Sequence, residues 1–269
     1  MSESQTFQSR YGPWALVTGA ARGLGAEFAR QIAARGINLV IIDMLADELI
    51  EAGKEIQNRT GQKIINVVTD LSQPQFIDTI REHTDGLDIG LLVSNAAFGP
   101  VGLFLDRSLD DKLKMVAVNV QATLILVHEF ASKMKALKRG GIILLSSASA
   151  LQGSAYVANY AATKAYNLIL AEGLWEELQE YGVDALGFMP GITRTPAFEQ
   201  SKPNLERRMK LTPIMEVETT VTEALEALGK RPSHIAGRRN RWNMFTTGKL
   251  MPRKTVVKLV GKQMRDLYG

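Results

Sequence analysis

The stretch that most constrains the fold runs from Trp14 to Arg35. A short apolar run, Trp14-Ala-Leu-Val-Thr18, gives way to Gly19-Ala-Ala-Arg22-Gly23-Leu24-Gly25, after which Leu24, Phe28 and Ile32 recur with helical spacing. Glycines between a strand and a helix let the backbone turn sharply and approach a ligand closely. The helix N-terminus that follows offers free N–H groups and partial positive charge. Such a turn suits a pyrophosphate. The spacing here is G-x-x-x-G-x-G rather than G-x-G-x-x-G.

The rest of the chain repeats the strand–helix alternation. Asn38-Leu-Val-Ile-Ile-Asp43 is a second strand and ends in an acid eighteen residues after Gly25. A carboxylate there accepts hydrogen bonds from adenosine ribose hydroxyls and repels a 2′-phosphate, which favours NAD over NADP. Arg22, in the glycine turn, points the other way. A third strand, Ile64 to Thr69, ends at Asp70-Leu71; Ser72 is then expected to cap a helix with Pro74 in its first turn. The fourth, Asp88 to Asn95, precedes Ala96-Ala97, small residues beside which a ring can approach the backbone. A helix over about Leu109 to Leu137 carries Asn119 within an apolar face. Burying an unpaired amide is costly, so Asn119 is either a satisfied core residue or an anchor for water or backbone. Ile142 to Ser147 and Val183 to Met189 are strands five and six, the latter ending at Pro190-Gly191-Ile192-Thr193. This order predicts an α/β fold: a single-domain, Rossmann-type, doubly wound parallel sheet flanked by helices, spanning residues 1–269.

The chemistry is expected around Ser147, Tyr160 and Lys164. Tyr160 and Lys164 stand four residues apart in a helix read from about Ala155 to Tyr181, which puts phenol and ammonium on one face. A free tyrosine titrates near about 10, and a nearby positive charge lowers that value. Ser147, at the end of strand five, offers a hydroxyl to a substrate oxygen that the tyrosine also reaches.

Composition narrows the alternatives. The chain has 269 residues and no cysteine, which excludes disulfides, thiolate nucleophiles and cysteine-held metals and suits a cytoplasmic location. Its three histidines, His83, His128 and His234, lack ligand spacing, so no metal is expected. The N-terminal ten residues are polar and read as no signal peptide, and the stretch Met115 to Val127 is too short to span a bilayer. The net charge of +4 is unevenly placed: from Lys230 onward eleven Lys/Arg face one acid, Asp266. A solvated basic face is the favoured reading of that tail, and no nucleic-acid partner is expected.

Taken in order, Thr18-Gly19-x-x-x-Gly23-x-Gly25, Asp70, Asn95-Ala96-Ala97, Asn119, Ser147, Tyr160-x-x-x-Lys164 and Pro190-Gly191 resemble the short-chain dehydrogenase/reductase family over roughly residues 11 to 200. The family usually has Asn-Ala-Gly where this chain has Asn-Ala-Ala. Tyr11-Gly-Pro-Trp14, Ile235-Ala-Gly-Arg-Arg-Asn-Arg241 and Met251-Pro-Arg-Lys254 further resemble a bacterial branch similar to 17β-hydroxysteroid dehydrogenases and 3-oxoacyl reductases.

The resemblance implies an enzyme that interconverts a secondary alcohol and a ketone with a nicotinamide cofactor, NAD favoured. Tyr160 would be the acid/base, Lys164 would lower its pKa and hold ribose hydroxyls, Ser147 would orient the substrate oxygen, and Asn119 would bind a relay water. Gly19, Arg22, Gly23, Leu24, Asp43, Asp70, Leu71, Asn95, Tyr160, Lys164, Pro190, Gly191, Ile192 and Thr193 would line the cofactor. A homodimer or homotetramer through the helices holding Asn119 and Tyr160 is also implied.

The substrate wall is expected beyond the strand ends, from Ser147, Phe98, Leu151, Tyr156 and Phe198, with Met209, Leu211, Ile214 and Met215 from a lid at about 195–215. These apolar residues suggest a bulky hydrophobic alcohol or ketone such as a hydroxysteroid. A 3-oxoacyl thioester reductase is the alternative, its basic tail meeting an acidic carrier protein or CoA phosphates. A non-catalytic dinucleotide-sensing module is an alternative of another class. The basic extension at about 238–269 contains an amphipathic helix; packing on the domain or a second subunit is favoured over a membrane surface.

Overall fold

The computed structural model describes residues 3–200 and 214–268. The first half of the chain runs α1 (Glu3–Tyr11), β1 (Trp14–Thr18), α2 (Gly23–Ala33), β2 (Asn38–Asp43), α3 (Ala46–Thr60), β3 (Ile64–Val68), α4 (Phe76–Thr84) and β4 (Ile89–Ser94). Then come α5 (Leu109–Val116), α6 (Ala122–Leu137), β5 (Gly140–Leu145), α7 (Ala158–Glu177), β6 (Val183–Met189) and α8 (Pro196–Gln200). After the undescribed residues follow α9 (Val217–Ala227), β7 (Ser233–Ile235), α10 (Arg238–Leu250) and α11 (Arg253–Tyr268).

The strands form one seven-stranded sheet in the order β3-β2-β1-β4-β5-β6-β7, and every pairing is parallel. This is the expected doubly wound architecture. β4 and β5 are buried along their whole length, so they read in sequence as unbroken apolar runs rather than alternating ones. Phe28, Ile32, Leu49, Val221 and Leu225 build the core on one face of the sheet; Ile80, Leu126, Phe130, Met134 and Leu178 build it on the other. The chain leaves β1 toward β2 on one side, and β4 pairs with β1 on the other. The crevice therefore opens beyond the carboxyl ends of these strands.

Several local readings change. The helix expected over Leu109 to Leu137 is interrupted by a π turn, Ala117–Gln121, centred on Asn119. By length and composition Leu109–Leu137 is apolar enough to cross a membrane, yet half of its most apolar window is buried, and it packs as a core helix on β4 and β5. Ser72 does not cap a helix: its N–H donates to Asp70 Oδ1 at 2.9 Å in a local turn, and α4 starts only at Phe76. The helix read from Ala155 starts at Ala158, because Tyr156 holds a left-handed φ of 65°. Met209 and Leu211, placed in the lid by sequence, lie outside the described residues.

The polar N-terminus is also a helix. Arg10 donates to Asp184 Oδ1 and the Tyr11 hydroxyl to Asp184 Oδ2, each at 2.7 Å, which fixes α1 beside β6.

Candidate active site

The glycine turn is shaped by steric need. Gly19 and Gly23 adopt φ of 68° and 61°, which glycine reaches without strain. A Cβ on Gly25 would overlap the Gly19 carbonyl, so α2 can begin this close to the turn only with glycine there. The turn is stitched to the end of β4. Thr18 Oγ1 accepts from the N–H of Asn95 and of Ala96 at 3.0 and 3.1 Å. Asn95 Nδ2 donates back to the Thr18 and Gly19 carbonyls at 2.9 and 3.1 Å. No side chain caps α2, which leaves first-turn N–H donors for an anion.

The acids beside the turn are held by backbone. Asp43 accepts N–H bonds from Ala21, Met44 and Leu45 at 3.1, 2.8 and 3.2 Å. Burial works to raise the Asp70 carboxyl, but hydrogen bonds from Ser72 and Lys114 outweigh it and hold it below its ordinary value. Together these elements border a groove of about 520 Å³. Gly19, Arg22, Gly23, Leu24, Asp43, Asp70, Leu71, Asn95, Tyr160, Lys164 and Pro190 all line it. Uncapped helix donors, a glycine cradle and a carboxylate at the ribose end of the groove fit a dinucleotide.

The reactive corner lies where the groove meets α7. Lys164 is buried, and its Nζ donates to the Leu145 carbonyl at 2.8 Å while lying 5.7 Å from the Tyr160 ring centroid. Burial pushes this lysine down to about 8. Burial also drives the Tyr160 phenol above its ordinary value, with the Ser147 hydroxyl acting against it. The expected lowering of Tyr160 by Lys164 is therefore not the leading influence in this geometry. Ser147 Oγ accepts from the Ser149 N–H and hydroxyl at 3.2 and 3.0 Å. Gly99 lets the loop after β4 pass the tyrosine; a Cβ there would sit 2.6 Å from Cδ2 of the Tyr160 ring.

Asn119 is fully buried and its amide is spent on protein. Its Oδ1 accepts from Phe98 N–H at 2.8 Å, and its Nδ2 donates to the Phe98 carbonyl at 2.9 Å and to Thr163 Oγ1 at 3.0 Å. Thr163 in turn donates to the Tyr160 carbonyl at 2.8 Å. These bonds satisfy the buried amide, as a polar core residue requires, and they also tie the loop after β4 to α7.

A second cavity of about 470 Å³ adjoins the first and shares Ser146, Tyr160 and Pro190 with it. Ser147 and Phe198 line it, as do Gly191, Ile192 and Thr193, which sequence had assigned to the cofactor. Phe98, expected in the substrate wall, lines the nucleotide groove instead, because its backbone is tied to Asn119. Tyr156 is turned by its left-handed φ into a small neighbouring pocket. Leu151 is absent from the cavity lining, and its carbonyl accepts from Arg253 at 2.7 Å.

The far wall comes from the C-terminal extension: Asn240 and Met244 of α10, and Val260, Gln263, Met264, Leu267 and Tyr268 of α11. Sequence reasoning missed these. Their apolar spacing was visible, but not the surface they cover.

Residues 13–206 match the family model described as short chain dehydrogenase. The chain belongs to that family, and it is an oxidoreductase that interconverts secondary alcohols and ketones with a nicotinamide cofactor. A 7beta-hydroxysteroid dehydrogenase of Collinsella aerofaciens is 33% identical to it over 239 residues, covering 87% of this chain and 89% of the relative. Another, of Clostridium sardiniense, is 29% identical over 256 residues, 95% of this chain and 97% of its own. A solved structure from work on 7beta-hydroxysteroid dehydrogenase stereoselectivity superposes with a TM-score of 0.88 at 30% identity, covering 94% of this chain and 98% of that one.

Proposed function

We propose that this enzyme is an NAD-dependent dehydrogenase acting on a hydroxysteroid or a comparably bulky hydrophobic alcohol or ketone. The observation that carries this reading is the second cavity. It reaches Ser147 and Tyr160, holds about 470 Å³, and has no charged side chain among its described lining residues. Similarity to 7beta-hydroxysteroid dehydrogenases supports the same substrate class.

Gly19, Asp43 and Lys164 would hold a nicotinamide cofactor in the groove, where it would supply or accept the hydride. The chain's own residues do the rest. Tyr160 exchanges a proton with the substrate oxygen from its phenol, and Ser147 Oγ holds that oxygen in place. Lys164, anchored on the Leu145 carbonyl, holds ribose hydroxyls and sets the charge around Tyr160. The α2 N-terminus takes the pyrophosphate. Asp43 takes the adenosine ribose, and its carboxylate supports NAD over NADP despite Arg22.

The protein works in the cytoplasm as a homodimer or homotetramer. The exposed Leu113, Leu124, Ile125 and Ile169, on the helices around Asn119 and Tyr160, support the assembly.

The test is a screen of hydroxysteroids and 3-oxoacyl thioesters against NAD(H) and NADP(H), with wild type and Tyr160→Phe side by side. Hydroxysteroid turnover preferring NAD, reduced at least about 100-fold in the variant, is expected. Turnover of thioesters alone with NADPH would transfer the assignment to a 3-oxoacyl reductase. Binding of nucleotide without turnover of either class would remove both substrate assignments.

A further inference from the structure

The turn Pro190–Thr193 stands between the nucleotide groove and the substrate cavity, with Pro190 bordering both. Packed against it is a side chain from the C-terminal extension. Asn240, in the first turn of α10, is 5% exposed, and its Nδ2 donates to the Ala236 carbonyl at 2.9 Å and contacts Met215 Sδ at 3.5 Å. The same nitrogen occupies the space where a Cβ on Gly191 would stand. Gly191 does not adopt a left-handed φ, so its backbone would accept alanine; space alone forbids it. Asn240 Oδ1 is buried and has no hydrogen-bond partner among the described residues. Holding an amide so costs free energy, and here its visible effect is on the turn.

The corner that delivers Asn240 is itself fixed. Glu223 of α9 accepts the Gly237 N–H at 3.1 Å, His234 Nε2 at 2.9 Å and Arg241 Nη1 at 2.7 Å. The Ala236 N–H donates to the Met189 carbonyl at 3.0 Å, which continues the β6–β7 pairing into the corner. Met215 is also tied to the turn: its N–H donates to the Ile192 carbonyl at 2.7 Å, and the Arg194 N–H donates to the Met215 carbonyl at 3.0 Å. Its carbonyl partner and its neighbours are thus all held, and moving the amide aside costs its bond to the Ala236 carbonyl.

We propose that Asn240 is a positioning residue for the alcohol–ketone reaction. Its amide fixes the Pro190–Thr193 turn and so sets the width of the substrate cavity beside Ser147 and Tyr160. The inference rests on the dehydrogenase reading for its kinetic part only, since the packing can be measured without turnover.

Four proteins test it: wild type, Gly191→Ala, Asn240→Ala and the double variant. Melting temperature, nucleotide Kd, and kcat and KM for a bulky secondary alcohol are read for each. Gly191→Ala alone is expected to lower the melting temperature by about 5 °C and kcat/KM at least about tenfold. In the Asn240→Ala background the same change is expected to cost about half as much or less by either measure, because the amide is gone and only Met215 Sδ, 3.0 Å from the added Cβ, still has to give way. Asn240→Ala alone should raise the KM for the alcohol about fivefold and leave kcat and the nucleotide Kd within about twofold; a merely structural lesion would lower the active fraction, and with it kcat, instead.

An equal cost of Gly191→Ala in both backgrounds would overturn the proposal, as would an unchanged KM in Asn240→Ala. If no secondary alcohol turns over in any of the four, the functional reading fails, and the melting temperatures still decide the contact. Should Asn240→Ala not fold, Asn240→Ser carries the comparison, since its hydroxyl still reaches the Ala236 carbonyl while clearing the space beside Gly191.

Discussion

The two ionisable groups at the reactive corner are both pushed toward neutrality, Tyr160 upward and Lys164 down to about 8, and burial leads both shifts. A lysine in an unfolded chain titrates near about 10.4. Between about pH 8 and 10.4 the unfolded chain therefore holds the extra proton, and this group makes stability rise with pH across that window. Below pH 8 both states are protonated and the burial penalty stands in full. Lys164→Met keeps the volume and removes the titration. The unfolding free energy of wild type relative to Lys164→Met should then grow by about 2 kcal/mol from pH 8 to pH 10.4. Urea unfolding at several pH values measures it, and taking the difference cancels the other titrating groups. A flat difference would mean that Lys164 is solvated in the folded protein.

Among the elements, the run from α5 through the π turn to α6 shows how one residue can bend a helix to a purpose. Asn119 is fully buried, and its amide ties Phe98, at the groove, to Thr163, on α7. The π turn gives it the reach, as such turns often do at functional sites. Asn119→Ala removes the side-chain partner of the Phe98 N–H and carbonyl and one of the two bonds of Thr163, and a loss of about 2 kcal/mol in unfolding free energy is expected. A loss under about 0.5 kcal/mol by urea titration would show that the amide holds nothing.

What sequence could reveal divides along the same physical line. β4 and β5 were legible because fully buried parallel strands are apolar without a break, and the glycine turn was legible because sterics leave few residue choices at Gly19 and Gly25. The π turn, the helix α1 anchored through Asp184 and the Glu223–His234–Arg241 corner depend on partners distant in sequence, which no local pattern specifies. Phe98 shows the limit most plainly: its type suggested a substrate wall, and a bond from a helix further along the chain turned it to the groove.

At the scale of the whole molecule, the basic extension and the catalytic half share one cavity. α11 turns Lys254, Lys258, Lys262 and Arg265 outward, while Val256 and Leu267 are buried and Val260, Gln263, Met264, Leu267 and Tyr268 border the substrate space. The net charge of +4 thus conceals a basic last helix, whose four cations face solvent and whose apolar stripe borders the second cavity. The amphipathic pattern that could have suited a membrane surface is used on the protein itself.

Two consequences separate this arrangement from a tail that only packs. Met264→Ala with Leu267→Ala should raise the KM for a bulky secondary alcohol about tenfold, because this wall of the second cavity recedes. The KM for a compact alcohol such as 2-propanol, and the nucleotide Kd, should stay within about twofold, since neither ligand reaches α11. Steady-state kinetics on both alcohols and fluorescence titration with NADH provide the comparison. An equal rise for the two alcohols would show that the extension acts on the reactive corner as a whole.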